Sequence, residues 1–320
     1  MFFTIEELGN MAPPRWKIEG LFEAESLVMV AGPPGSFKSF LVLDWILCMA
    51  SGKNWNQRKT ETSKCLYVLG EGKSSLNKRV NAWRQENHLN AAETAALREN
   101  FLVTFDVPQL AQRSAVDNLL SRLSDRGFRP DVVVVDTFAR SFVGMDENGQ
   151  RDVGLWVEQA DRLRAAGLTV IFLHHTAKNT EFGVRYRGSS ALLGAMDTAM
   201  TVQRDQEIPH GIKVEVTKQK DHDEGDPMYF VRKIVRSASN AEGSVVLAPT
   251  IKMDERFTEE GQKVDEVMDA LMADPKFESD RARARELARQ FDFISETAAQ
   301  GRITRRRKEE KKKEIEPQVA

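Results

Sequence analysis

An apolar run, Ser26 to Ala31 (SLVMVA), leads directly into Gly32-Pro33-Pro34-Gly35-Ser36-Phe37-Lys38-Ser39, and Lys38 to Ser51 then has helical character. A strand, a Gly/Pro loop and a helix in that order let backbone N–H groups wrap a polyphosphate. The helix N-terminus adds partial positive charge. Lys38 is placed to reach the β and γ phosphates, and the Ser39 hydroxyl to ligate Mg²⁺. The nucleotide-binding stretch is read as Gly32, Pro33, Pro34, Gly35, Ser36, Phe37, Lys38, Ser39 and Phe40. The strict pattern is G-x-x-x-x-G-K-[ST], and Phe37 stands where its second glycine belongs. That position is expected to enter the helix, where a side chain is sterically allowed and the N–H survives. Phe37 is therefore read as a tolerated variant. The plain alternative is a Gly/Pro turn with an incidental Lys-Ser.

Downstream, apolar strands alternate with helical patterns as far as about His175. Strands are expected at Cys65 to Leu69, Phe101 to Phe105, Asp131 to Asp136 and Leu168 to Leu173. Helices are expected at about Ser74 to His88, Ala115 to Arg126 and Gly154 to Ala166. Such alternation predicts an α/β fold with a mostly parallel sheet covered on both faces. From Thr198 the pattern changes. Thr198 to Arg204, Gly211 to Thr217, Met228 to Val235 and Ser244 to Ala248 read as strands joined by turn formers, an antiparallel extension of that sheet. After Thr258 the chain turns helical and highly charged. The expected layout is an irregular lead-in over 1–25, with Pro13-Pro14 in it, a core over 26–252 and a small helical module over 258–320.

Three further signals accompany the loop. Val132-Val133-Val134-Val135-Asp136 is a buried strand whose acid emerges at the carboxyl edge, where it can hold Mg²⁺. Glu71 follows CLYVLG and sits at the same edge, where a glutamate can orient or deprotonate water. A solvated loop acid is the bland reading. His174-His175 ends another strand. Adjacent strand residues point to opposite faces, so a shared zinc is discounted. One histidine is expected to contact the γ-phosphate while its neighbour packs into the sheet, unless both are structural.

Basic and acidic residues nearly cancel, 46 against 48, so a globally basic nucleic-acid coat is excluded. Two cysteines in apolar surroundings argue against a disulfide framework. No apolar run approaches the roughly 20 residues that span a bilayer. The N-terminus lacks a positive n-region. A soluble protein of a reducing compartment, with no membrane partner, is expected.

Asp136-Thr137-Phe138-Ala139-Arg140, Gly144-Met145-Asp146-Glu147-Asn148, His174-His175-Thr176, Arg187-Gly188-Ser189-Ser190-Ala191-Leu192 and Thr217-Lys218-Gln219-Lys220-Asp221 together resemble RepA-type hexameric replicative helicases. These are plasmid and phage ATPases of the RecA/DnaB superfamily, and the similarity covers roughly residues 14 to 250. It implies a RecA-like P-loop core that forms a homo-oligomeric, hexameric ring in the bacterial host's cytoplasm, with ATP and Mg²⁺ between subunits. By that resemblance Glu71 is the catalytic glutamate and His175 the γ-phosphate sensor. Lys218 and Lys220 match basic fingers that reach the neighbour's nucleotide, and Arg187 is a further candidate. A solvated strand edge is the alternative for the lysines. The loop with Arg185, Tyr186 and Arg187 faces the ring channel in the family, which suits single-stranded DNA.

The segment Ala284 to Phe291, followed by Ile294 to Ala298, resembles a helix-turn-helix, though it lacks the turn glycine. Its third helix carries Arg302, Arg305, Arg306, Arg307 and Lys308, which suits phosphate contact as well as it suits a solvated face. The leading expectation is an ATP-driven DNA helicase or translocase in phage or plasmid replication, with a primase or a loader as partner. A RecA-like recombination or strand-annealing ATPase is the alternative within the class. A nucleotide-switched DNA-binding regulator is the alternative outside it.

Overall fold

The computed structural model describes residues 2–176, 190–237, 240–251, 259–277, 279–291, 296, 299–304 and 306–307. The chain forms two compact units, Met1–Thr250 and Ile251–Ala320.

In the first unit the phosphate-loop strand β3 (Leu27–Gly32) lies inside a nine-stranded sheet. Beside it runs β7 (Thr169–His175), then β6 (Val132–Asp136), β4 (Cys65–Leu69) and β5 (Phe101–Thr104), all parallel. On its other side β8 (Thr198–Arg204) is parallel to β3. It then starts an antiparallel run through β9 (Gly211–Gln219), β10 (Met228–Ser237) and β11 (Asn240–Thr250).

The parallel strands are continuous apolar runs because both faces are covered. Val28 and Val30, Val132 and Val134, and Ile171 and Leu173 face one cluster with α2 (Lys38–Ser51), α3 (Leu76–Asn87) and α4 (Ala91–Asn100). Leu27, Met29, Val133, Val135, Val170 and Phe172 face the other cluster with α5 (Ser114–Asp125) and α6 (Gln150–Ala165). Residue alternation along each strand divides the two cores. In α2, Leu41 to Ser51 is buried except at Asp44, so the helix leaving the phosphate loop is anchored along most of its length.

Two stretches differ from the sequence reading. The lead-in is not wholly irregular. A short α1 (Ile5–Gly9) is closed by a Thr4–Glu7 capping box, and β1 (Trp16–Ile18) pairs with β2 (Phe22–Glu23), burying Ile18, Leu21 and Phe22. The helix α4 has no counterpart in the sequence reading. Its apolar content is low, and its start is set by the reciprocal capping of Asn90 and Glu93.

In the second unit α8 (Glu259–Ala273) and α9 (Asp280–Gln290) pack with a helical stretch around 299–304. Val264, Met268, Leu271, Ala284, Leu287, Ala299 and Ile303 form its core. Ser279 caps α9 through the Ala282 N–H. No described helix is long and apolar enough to cross a membrane.

Candidate nucleotide site

The loop leaves β3 at Gly32, where any Cβ would lie 2.2 Å from the Val202 carbonyl oxygen. Only glycine fits there. Gly35 has φ +76°, and Phe37 caps α2 in the left-handed region at φ 72°, ψ 19°. This corrects the reading of Phe37 as an ordinary helical position. The loop demands the conformation glycine adopts freely, and a phenylalanine there costs about 1 kcal/mol.

Lys38 is the cation of the loop. Its Nζ donates to the Gly32 and Pro33 carbonyls at 2.8 and 3.0 Å and lies 3.4 Å from His175 Nδ1. Burial lowers its pKa to about 8, against an opposing pull from Asp136. The side chain is thus a partly desolvated ammonium, folded onto its own loop and suited to release onto a phosphate.

Asp136 ends β6 and is buried. Desolvation raises its pKa, while hydrogen bonds from Ser39 and Tyr67 lower it. The Tyr67 hydroxyl donates to Oδ2 at 2.8 Å. Ser39 and Asp136 are therefore adjacent, as a shared Mg²⁺ requires. Three buried hydroxyls have no hydrogen-bond partner among the described residues, Thr201 Oγ1 on β8 and, at this site, Ser36 Oγ and Thr137 Oγ1. Orphan donors beside the loop and beside Asp136 are costly unless something polar binds there. The residues fit a phosphate with its metal.

Glu71 follows β4 and lines the same cavity of about 350 Å³ with Lys38, Ser39, Phe40, Asp136 and His175. Its Oε1 accepts from Arg140 Nε at 2.9 Å, and both side chains are about half exposed. His174 points the other way, buried edge-on against Phe138 at 5.2 Å. The structure thus brings the loop, Asp136, Glu71 and His175 to one cavity.

Behind that cavity two rungs cross between α2 and α3. Arg79 lies 4.6 Å over the Phe40 ring. One turn further along each helix, Trp83 donates its indole N–H to Asp44 at 2.5 Å, and Trp55 donates to the same carboxyl at 2.7 Å. The spacing is i, i+4 on both helices. The Asp44 carboxyl is enclosed, and desolvation pushes its pKa up to about 6 despite these donors. A folded-state pKa above the unfolded value near 4 means stability is lost as pH rises from 4 through 6. The shift corresponds to about 3 kcal/mol. Asp44→Asn keeps the shape and removes the charge. The stability of the wild type minus that of Asp44→Asn, from urea melts, is expected to fall by about that amount between pH 4 and pH 7. A pH-independent difference would show that Asp44 titrates normally.

Lys218 and Lys220 are elsewhere. Lys218 is level with Ala199, which is level with Met29, about midway along β3, and Lys220 lies further toward the amino end of that strand. The strand β9 ends at Gln219, and a register shift opposite Ala199/Met200 precedes Lys218. Lys218 Nζ donates to the Leu193 and Gly194 carbonyls at 2.9 Å, at the end of α7 (Ser190–Ala195). Lys220 pairs with Asp197 at 3.4 Å. Both lysines lie toward the sheet edge opposite this chain's own phosphate loop.

Arg185, Tyr186, Arg187, Arg305 and Lys308 lie outside the described residues. Arg306 bonds both carboxylate oxygens of Asp269, and Arg307 pairs with Asp280 at 2.7 Å. Sequence reasoning passed over Arg79, Arg204 and Tyr67 in the cavity region. No motif marks them, because the crossing of separate elements brings them there.

A phosphate loop, a buried acid two strands away at the same sheet edge and a glutamate beside it define a P-loop ATPase, a class that uses ATP and Mg²⁺. The core is a largely parallel sheet with an antiparallel extension. The chain belongs to the AAA domain family, whose sequence profile matches residues 4–181. It is also similar to a crystal structure of the RadB recombinase, with a TM-score of 0.46 and 18% identity over 65% of this chain and 87% of that one. No curated protein is detectably similar in sequence.

Proposed function

We propose that the protein is an ATP-driven DNA helicase or translocase that works on single-stranded DNA as a homo-oligomeric ring of the RepA type, in phage or plasmid replication. The position of Lys218 and Lys220 carries this reading. From Met29, level with Lys218, to Gly32 a strand covers roughly 10 Å, and from Leu27, near Lys220, roughly 16 Å, both more than a lysine side chain reaches. Two lysines at the far edge from their own loop can serve a nucleotide only in another subunit.

Within one subunit the loop amides and Lys38 hold the β and γ phosphates. Ser39 and Asp136 hold Mg²⁺, which neutralises charge on the transferred phosphoryl group when bound. Glu71 orients and deprotonates the attacking water. Its Arg140 partner holds the carboxylate aimed at the cavity. His175, against Lys38, senses the γ-phosphate. Lys218 and Lys220, with Arg187, complete the neighbour's site. The loop with Arg185 and Tyr186 contacts the single strand, and the C-terminal unit binds duplex DNA or a primase or loader protein. Within that unit, Arg306 and Arg307 must exchange their aspartate partners for phosphates, which weakens any contact they make.

The test is a forked DNA duplex incubated with ATP and Mg²⁺. ATP-dependent strand separation is expected. Pairing of complementary strands without separation would replace the helicase by a recombination ATPase. Absence of turnover at saturating ATP and single-stranded DNA would leave a nucleotide switch.

A further inference from the structure

Phe37 is strained, yet it does more than fill space. Its ring faces two guanidiniums, Arg204 at 5.7 Å and Arg232 at 5.1 Å, and packs on Phe40 at 5.6 Å. Arg204 ends β8 and lines the nucleotide cavity beside Lys38 and Ser39. Its Nε donates to the Gly35 carbonyl at 3.2 Å. Arg232, on β10, is held by His210 through Nδ1 at 2.6 Å. Among the described residues no carboxylate pairs with either arginine. The cavity's other acid at the mouth, Glu71, is already matched by Arg140.

We propose that Phe37 is a positioning residue, and that Arg204, held on its ring and backed by Arg232, is a second polyphosphate-binding cation beside Lys38. The inference rests on the nucleotide reading of this cavity and extends it. A guanidinium carries N–H donors in a planar fork that matches phosphate oxygens. The Nε bond to Gly35 and the ring fix its plane before the ligand arrives, so less rotamer freedom is lost on binding. Cation–π attraction at this range supplies the hold. A glycine at position 37 would relax the loop and release the arginine.

Isothermal titration of MgATP and of ADP into the full chain tests this, with Lys38→Ala as the reference for a lost site. Arg204→Ala is expected to weaken MgATP binding at least ~10-fold, the scale of a charge-assisted hydrogen bond. Phe37→Leu keeps apolar bulk and the same backbone demand but has no ring face. It is expected to weaken binding, and Phe37→Tyr to bind as the wild type does. Phe37→Gly restores the strict loop pattern and should melt at a higher temperature, yet bind more weakly. The clamp is overturned if Arg204→Ala binds normally while Lys38→Ala does not, if Phe37→Leu matches Phe37→Tyr, or if Phe37→Gly binds more tightly. If the wild type itself takes up no nucleotide, the reading of the whole cavity fails, and the clamp with it.

Discussion

Lys38→Ala will bring ATP hydrolysis to background, and Glu71→Gln will bind ATP but hydrolyse it at least ~100-fold more slowly, the scale for loss of a positioned base. The two effects separate binding from chemistry. Lys38 is the cation closest to the loop carbonyls, and the buried site amplifies its attraction for phosphate. Its pKa of about 8 adds a pH signature. In the free protein the ammonium is charged below that value and loses its proton above it, so ATP affinity should fall as pH rises through 8. Glu71→Gln keeps the hydrogen-bond acceptor for Arg140 and removes only basicity. Single-turnover hydrolysis alongside a nucleotide-binding titration checks both variants. Normal turnover in Glu71→Gln would return that residue to a solvated loop acid, and normal turnover in Lys38→Ala would remove the loop assignment.

The parts of this site set by local pattern were legible in the sequence. β-branched runs such as Val132 to Val135 mark buried parallel strands, and the residues just after such a strand lie at the carboxyl edge. Asp136 and Glu71 therefore came out at the same edge as the loop. Strand alternation shows that the two histidines face opposite ways, and the family resemblance singled out His175. The parts that were not legible depend on geometry between elements. Nothing in the letters GPPGSFKS shows that residue 37 must adopt positive φ. Arg79 reaches the cavity because α3 crosses α2 one turn from Trp83 and Asp44. Arg204 and Arg232 come together because β8, β9 and β10 align Arg204 with Ile212 and Ile212 with Phe230. A register of that kind is set by turns and by the bulge near Met200, not by composition.

That same register sets the strongest expectation about assembly. Lys218→Ala and Lys220→Ala should each retain ATP binding and lose hydrolysis, because the cation they supply is missing only where charge develops in the reaction. In the single chain Lys218 closes the carboxyl end of α7 and Lys220 is paired with Asp197. Engaging a neighbour's nucleotide therefore requires them to leave these partners. Both contacts are partly exposed and weak enough to exchange. The sharper result comes from mixing Lys218→Ala with Lys38→Ala protein. Neither works alone. In a mixed ring, some interfaces join an intact loop from one subunit to an intact lysine from the next, and those sites should recover part of the activity. A defect confined to one subunit cannot be rescued in this way. Mixed assembly is verified by native mass measurement with ATP and Mg²⁺ present. Mixed rings that stay inactive would show that Lys218 and Lys220 are structural ties to α7 and Asp197, and would remove the main support for a ring with shared sites.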